Sequence, residues 1–130
     1  YVYPGKKGNY IEKDALLPWN NYGWSKLGAE SSVQMYQNSL IIRACMTEKP
    51  FTHKSAFKDV RTNFIFHNDF AKILIKVINH KGIINIGGKT QTIYQFAKKS
   101  NKFVKKVKSK GELPKNIDMN LNKLKKLIKK

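Results

Sequence analysis

Residues 18–30 read Pro18-Trp19-Asn20-Asn21-Tyr22-Gly23-Trp24-Ser25-Lys26-Leu27-Gly28-Ala29-Glu30. Pro18 and the Asn20-Asn21 pair form a helix start, because an Asn side chain accepts hydrogen bonds from the unpaired amides of a first turn. The pattern then predicts a helix from Tyr22 to about Gln37, with Leu27, Val33 and Met35 among polar residues. Tyr22 and Lys26 are four apart, so they stand about 40° apart around the axis and roughly 6 Å along it. Both can reach one bound molecule. A phenol titrating at about 10 is a poor acid–base group near neutrality. A neighbouring ammonium favours the phenolate, and such a tuned tyrosine can hand a proton to a carbonyl oxygen.

Spacing alone does not single out this pair. The chain has three Tyr-x-x-x-Lys matches: Tyr3/Lys7, Tyr22/Lys26 and Tyr94/Lys98. The first spans Pro4 and Gly5, which do not support a helix. The third lies on a plausible helix, where an aromatic packed on the core and a solvated lysine is the simpler reading.

The context of Tyr22 decides between them. Pro18-x-Asn20-x-Tyr22-Gly23-x-Ser25-Lys26-Leu27-Gly28-Ala29-Glu30 resembles the active-site helix of extended short-chain dehydrogenase/reductases, and within them the dTDP-4-dehydrorhamnose reductase and NAD-dependent epimerase-dehydratase group. Further stretches match in order. Tyr1-Val2-Tyr3-Pro4-Gly5 resembles the end of the strand that carries the catalytic Ser or Thr. Leu40-Ile41-Ile42-Arg43 resembles the next sheet strand, and His67-Asn68-Asp69-Phe70-Ala71 the opening of a substrate-side helix. Gly82-Ile83-Ile84-Asn85-Ile86-Gly87-Gly88 resembles the Gly-x-x-Asn-x-Gly strand, and Asp118-Met119-Asn120-Leu121-Asn122-Lys123-Leu124 the terminal segment.

The resemblance implies an α/β fold: the C-terminal part of a doubly wound Rossmann-like parallel sheet plus a small substrate-binding α/β domain. Residues 1–44 are expected to belong to the dinucleotide-binding domain. Residues 45–130 are expected to be mainly the substrate-binding part, with a return to the sheet near 83–88. It implies NAD(P)-dependent reduction of a nucleotide-linked 4-keto sugar, with NADPH or NADH as cofactor. Tyr22 is the implied proton donor. Lys26 is implied to tune it and to bind the nicotinamide ribose, so both residues also serve as cofactor contacts. Lys54 and Arg61 are candidates for the phosphates of the substrate. A nucleotide-sugar epimerase or dehydratase shares the Tyr and Lys and stays open as the alternative. So does a non-catalytic binding subunit of the same fold. A homodimer is compatible with the family.

Two departures stand out. The Gly-rich phosphate loop of such enzymes and the catalytic Ser or Thr are absent from these 130 residues. They are expected upstream, so the chain reads as a C-terminal fragment that is inactive alone. Residues 45–62, with Phe51-Thr52-His53-Lys54-Ser55-Ala56-Phe57, do not follow the family's usual pattern. They show no period, contain Pro50, and are expected to form a long loop.

The rest of the chain alternates short strands and helices, which favours α/β. Strands are expected at 39–44, 63–66, 83–86 and 103–107. One helix is expected after an Asn68-Asp69 cap, with Phe70, Ile73, Leu74, Val77 and Ile78 at helical spacing, ended by Gly82. Others are expected at 92–99 and near the terminus, where Leu121, Leu124, Leu127 and Ile128 recur.

The net charge of +18 invites a nucleic-acid reading. The basic residues, however, are 24 Lys and only two Arg, Arg43 and Arg61, and Arg is the residue suited to bidentate phosphate and base contacts. With 12 Asn and 13 Ile, the composition points to coding bias and a solvated surface. Thirteen of the lysines lie in 98–130, but leucines at helical spacing run through that tail, so it reads as a folded edge.

No segment approaches the roughly 20 apolar residues of a membrane helix, no signal peptide is visible, and the single Cys45 leaves no internal disulfide. A cytoplasmic protein is the expectation. Cys45 reads as a small buried side chain. His53, His67 and His80 are 14 and 13 residues apart, without paired metal-ligand spacing. Gly87-Gly88-Lys89-Thr90 mimics the end of a phosphate-binding loop, but the Gly required five residues before Gly88 is Ile83. A turn after a strand is the better reading.

Overall fold

A computed structural model describes residues 1–129. After an extended, turn-rich first 20 residues come α1 (Asn21–Gln34), β1 (Leu40–Ala44), β2 (Met46–Thr47), β3 (Ser55–Phe57), β4 (Arg61–Thr62) and β5 (Ile65–Phe66). They are followed by α2 (His67–Val77), β6 (Gly82–Ile86), β7 (Gln91–Thr92), α3 (Ile93–Ala97), β8 (Lys105–Val107) and α4 (Asn122–Ile128). The architecture is the expected α/β.

The longest pairing is parallel, β1 with β6, in the register Leu40↔Gly82 to Ala44↔Ile86. Buried Val77, Ile84, Ile86 and Leu124 pack there with Leu40, Ile42, Phe70 and Ile73. Thus α2 and α4 cover one face of this pair, and the leucines of the Lys-rich tail are core, as their spacing predicts. A second cluster holds Val2, Tyr3, Tyr10 and Met119, with Leu27 packed against it. Tyr10 and Met119 also form a parallel bridge.

The third cluster corrects the reading of 45–62 as a loop. Phe51, Ala56 and Val60 are buried with Ile93, Phe96, Ala97 and Val104. The segment carries three short strands: β2 pairs with β5, β3 with β8, and β4 antiparallel to β7. Their partners lie up to about 50 residues away, as in Ser55↔Lys105, and two- or three-residue strands are too short to show alternation.

Smaller differences have local causes. α1 ends at Gln34 instead of Gln37, and Val33 and Met35 face solvent. α2 begins at His67 with Phe66 at the cap position and no side-chain cap, while Asp69 sits in its first turn, where negative charge complements the helix dipole. Gly82 does not end α2. It opens β6 with φ +84°, a conformation that costs glycine little. α3 is shorter than expected but carries a full capping box between Thr92 and Gln95. Phe103 is 93% exposed and precedes β8, so Val104 is the one fully buried side chain of that segment and Val107 is half-buried.

Gly87 and Gly88 lie against the backbone of Asn63 and Phe64. A Cβ on Gly87 would meet the Asn63 carbonyl oxygen at 2.7 Å. Asn63 Nδ2 donates to the Gly88 carbonyl at 3.1 Å and to Thr90 Oγ1 at 2.9 Å. The glycines therefore serve a close backbone approach, in keeping with the turn reading. No helix among the described residues is long and apolar enough to cross a membrane.

Candidate active site

Tyr22 and Lys26 sit on successive turns at the start of α1. Asn20 caps the helix, its Oδ1 accepting from Gly23 N–H at 2.8 Å. Gly23 is buried because the chain start crosses it closely: a Cβ there would stand 2.6 Å from the Tyr1 carbonyl oxygen and 2.9 Å from Pro18 Cβ. That approach brings the Tyr1 ring edge-on to the Tyr22 ring, with centroids 5.3 Å apart at 87°. The Lys26 ammonium lies 5.2 Å from the Tyr22 ring centroid, within cation–π range.

Both side chains line a cleft of about 480 Å³. Its walls are α1 (Tyr22, Lys26, Ala29, Glu30, Val33), residues 1–3, and the whole of β1 running on to Cys45 and Met46. Tyr22 is 54% exposed, yet it faces this concavity. The ends of parallel strands are where open α/β sheets bind ligands, and Ala44, Cys45 and Met46 mark that end of β1. Among the described residues β1 pairs on one side only, with β6, and its other edge opens into the cleft.

Tyr94 and Lys98 form a similar ring–ammonium pair at 5.8 Å. They line a different, open depression ringed by Lys58, Lys89, Lys99 and Lys106, with no β1 strand end in it. Tyr94 is half-buried against the Phe96 cluster and Lys98 is exposed. In the Tyr3/Lys7 match, Tyr3 is buried and Lys7 pairs with Asp14 at 2.8 Å. Context, not spacing, separates the three. Lys54 and Arg61 are exposed and outside the lining of the Tyr22 cleft. His53, His67 and His80 are all exposed, and no group of metal-ligating side chains gathers among the described residues.

Beneath the cleft lies a polar network that sequence reasoning missed. Arg43 on β1 forms a two-point ion pair with Glu30 on α1, Nη2 to Oε1 at 2.5 Å and Nε to Oε2 at 3.0 Å. Both residues are 7% exposed. Arg43 Nη1 donates to Tyr3 Oη at 2.7 Å and to the Glu12 carbonyl at 3.0 Å. Tyr3 Oη donates to Asn85 Oδ1 at 2.8 Å. Asn85 Nδ2 donates to the Tyr10 carbonyl, and Asn85 N–H to Glu12 Oε1, each at 3.0 Å. Arg43 and Asn85 are register partners. Burial pushes the Tyr3 phenol up, against the opposing pull of its bond from Arg43. Burial pulls the Arg43 guanidinium down, but its bonds to Glu30 and Tyr3 outweigh that and raise it. A clue was available: arginine suits buried two-point pairs better than lysine, and this chain spends one of its two arginines here.

The Cys45 thiol lies at the end of β1, accepts a hydrogen bond from Thr62 Oγ1 at 3.4 Å, and is pushed up to about 11 by burial. At neutral pH it therefore carries less of the reactive thiolate than a free thiol does. Iodoacetamide should therefore modify Cys45 slowly at pH 8 and faster as the pH approaches 11. Mass-spectrometric rates matching a free cysteine at pH 8 would contradict this burial.

The elements fit the Rossmann-like α/β fold of reductases and epimerases, of which this chain matches a C-terminal portion. Its similarity is to dTDP-4-dehydrorhamnose reductases and NAD-dependent nucleotide-sugar epimerases. A hypothetical dTDP-4-dehydrorhamnose reductase from Sulfolobus tokodaii aligns at 26% identity and TM-score 0.79, over 97% of this chain and 55% of that one. A dTDP-4-dehydrorhamnose reductase from Bacillus anthracis in complex with NADP aligns at 22% and 0.78, over 96% and 54%. UDP-glucuronic acid 4-epimerase from Bacillus cereus in complex with NAD aligns at 20% and 0.71, over 98% and 52%. The chain thus spans about half the length of the solved structures it matches. No family model and no curated protein sequence matches it.

Proposed function

We propose that this chain supplies the Tyr–Lys helix and substrate-side elements of an NAD(P)-dependent enzyme that reduces a nucleotide-linked 4-keto sugar, in the manner of dTDP-4-dehydrorhamnose reductase. The observation that carries this reading is the placement of Tyr22 and Lys26 on successive turns of α1, lining one cleft with the end of parallel strand β1. The open edge of β1 supports a sheet that continues in a longer protein.

The cleft suits the nicotinamide end of NADPH or NADH. Lys26 offers an ammonium and Tyr22 a hydroxyl on one wall, and Ala44 and Met46 give an apolar end to β1. When bound, the cofactor supplies hydride to the carbonyl carbon. Tyr22 gives its hydroxyl proton to the carbonyl oxygen, and Lys26 stabilises the negative charge left on the tyrosine oxygen. Lys26 also takes the ribose hydroxyls as acceptors. The sequence holds no Gly-rich loop for the cofactor's pyrophosphate, so this chain alone is expected to be inactive. Lys54 and Arg61 stay as proposed contacts to the substrate's phosphates, which would have to extend beyond the cleft to meet them.

The similarity to a UDP-glucuronic acid 4-epimerase supports a second reading, in which the same Tyr and Lys serve epimerisation or dehydration. Incubating the full-length protein with NADPH and dTDP-4-keto-6-deoxy sugar separates them. Stoichiometric oxidation of the reduced nicotinamide, followed by its absorbance, is expected for a reductase. Conversion of a nucleotide-sugar without net cofactor oxidation would replace it with the epimerase or dehydratase.

A further inference from the structure

We infer that the buried Glu30–Arg43 pair is the positioning device for the candidate catalytic helix: it fixes α1 on the sheet and thereby sets where Tyr22 and Lys26 stand in the cleft. This rests on the reading of Tyr22 as proton donor.

A helix beside a sheet is ordinarily held by an apolar stripe. α1 has none. Its only buried residues are Gly23 and Glu30. Leu27 is half-buried against the Tyr3–Tyr10 cluster, and Val33, Met35 and Tyr36 at and beyond its end are exposed. Within this chain the helix is therefore held at two points. At its start, the Asn20 cap and the close crossing at Gly23 hold it against residues 1 and 18. Near its far end, the Glu30 carboxylate is gripped by Arg43.

Tyr22, Lys26 and Glu30 follow at intervals of four, so they form one row along the helix, each about 6 Å from the next. All three line the same cleft. Two parallel hydrogen bonds to a planar guanidinium fix the carboxylate in direction as well as distance. Arg43 is itself fixed, by Tyr3 and the Glu12 carbonyl, and through Tyr3 by Asn85, its register partner on β6. Rotation or sliding of α1 must break this set. Lys26, midway between the two anchors, would then move with the helix.

The test uses the full-length protein and the conservative Glu30→Asp variant, which keeps the charge but withdraws the carboxylate by one methylene, with Glu30→Gln beside it. Displacing a catalytic group by an ångström costs about 100-fold in rate. The Glu30→Asp protein should keep a cooperative melt, while kcat falls by about 100-fold and the cofactor KM rises, because Lys26 moves with the helix. A 3-fluorotyrosine placed at position 22 should show a shifted or broadened ¹⁹F resonance in the same variant. Ser31→Ala, an exposed substitution on the same helix, should move neither readout. A folded Glu30→Asp protein with wild-type kcat and an unmoved resonance overturns the inference, as does an equal response in Ser31→Ala. If Glu30→Gln does not fold, Glu30→Asp decides. Failure of the underlying reading looks different: Tyr22→Phe would then keep full activity, and the ¹⁹F shift alone would decide the positioning.

Discussion

Tyr22→Phe in the full-length protein is expected to lower kcat about 10³-fold, within the range general acid catalysis supplies and equivalent to ~4 kcal/mol of barrier. The substitution removes one hydroxyl. It leaves the ring, which keeps its edge contact with Tyr1 and its ammonium neighbour Lys26. Tyr22 is half exposed and its hydroxyl has no hydrogen-bond partner within the protein among the described residues, so folding stability should change by less than about 0.5 kcal/mol. Cofactor affinity, measured by fluorescence titration, should be nearly unchanged. Lys26→Ala should instead weaken both turnover and cofactor binding, because the ammonium serves both. The contrast separates the two roles. Wild-type turnover in the Tyr22→Phe protein would end the catalytic assignment. Tyr94→Phe and Lys98→Ala, the pair with the same spacing, provide the control and should leave turnover intact.

The largest effect on stability should come from Arg43→Ala. Removing one partner of a buried ion pair typically costs about 3–5 kcal/mol, a large part of the 5–15 kcal/mol that holds a domain together. Here it leaves the Glu30 carboxylate buried without its cation and deprives Tyr3 of its donor. Replacing both partners with apolar residues of similar volume, Glu30→Leu with Arg43→Met, should be far less costly, because no uncompensated charge remains. Equilibrium urea unfolding of the two variants checks this. A loss below about 1 kcal/mol in Arg43→Ala would mean that water reaches the pair and the network is not closed.

A stable double variant would also sharpen the positioning question. It would hold α1 on the sheet by packing instead of a directed ion pair. Stability recovered without turnover would show that the direction of the grip matters. Stability and turnover recovered together would show that any firm anchor suffices.

Much of this protein was determined by sequence alone. Asn20 before Tyr22, the apolar run Leu40–Ala44, the repeat of Ile83 to Ile86 and the helical stretch from Thr92 are local signals, and each formed its element within a few residues of expectation. That Tyr22 and Lys26 share a helix face also follows from local covalent geometry, but three pairs in the chain have that spacing and only the stretch around Tyr22 sets this one apart. What lay beyond reach depends on partners distant in the chain. The three short strands in 45–62 exist only because β5, β7 and β8 pair with them. The anchoring network joins Tyr3, Glu12, Glu30, Arg43 and Asn85 across as many as 82 positions. None of these residues is unusual in its local sequence. Only the tertiary fold removes them from water together, and that desolvation turns an ordinary Glu and Arg into a fixed point beneath the cleft.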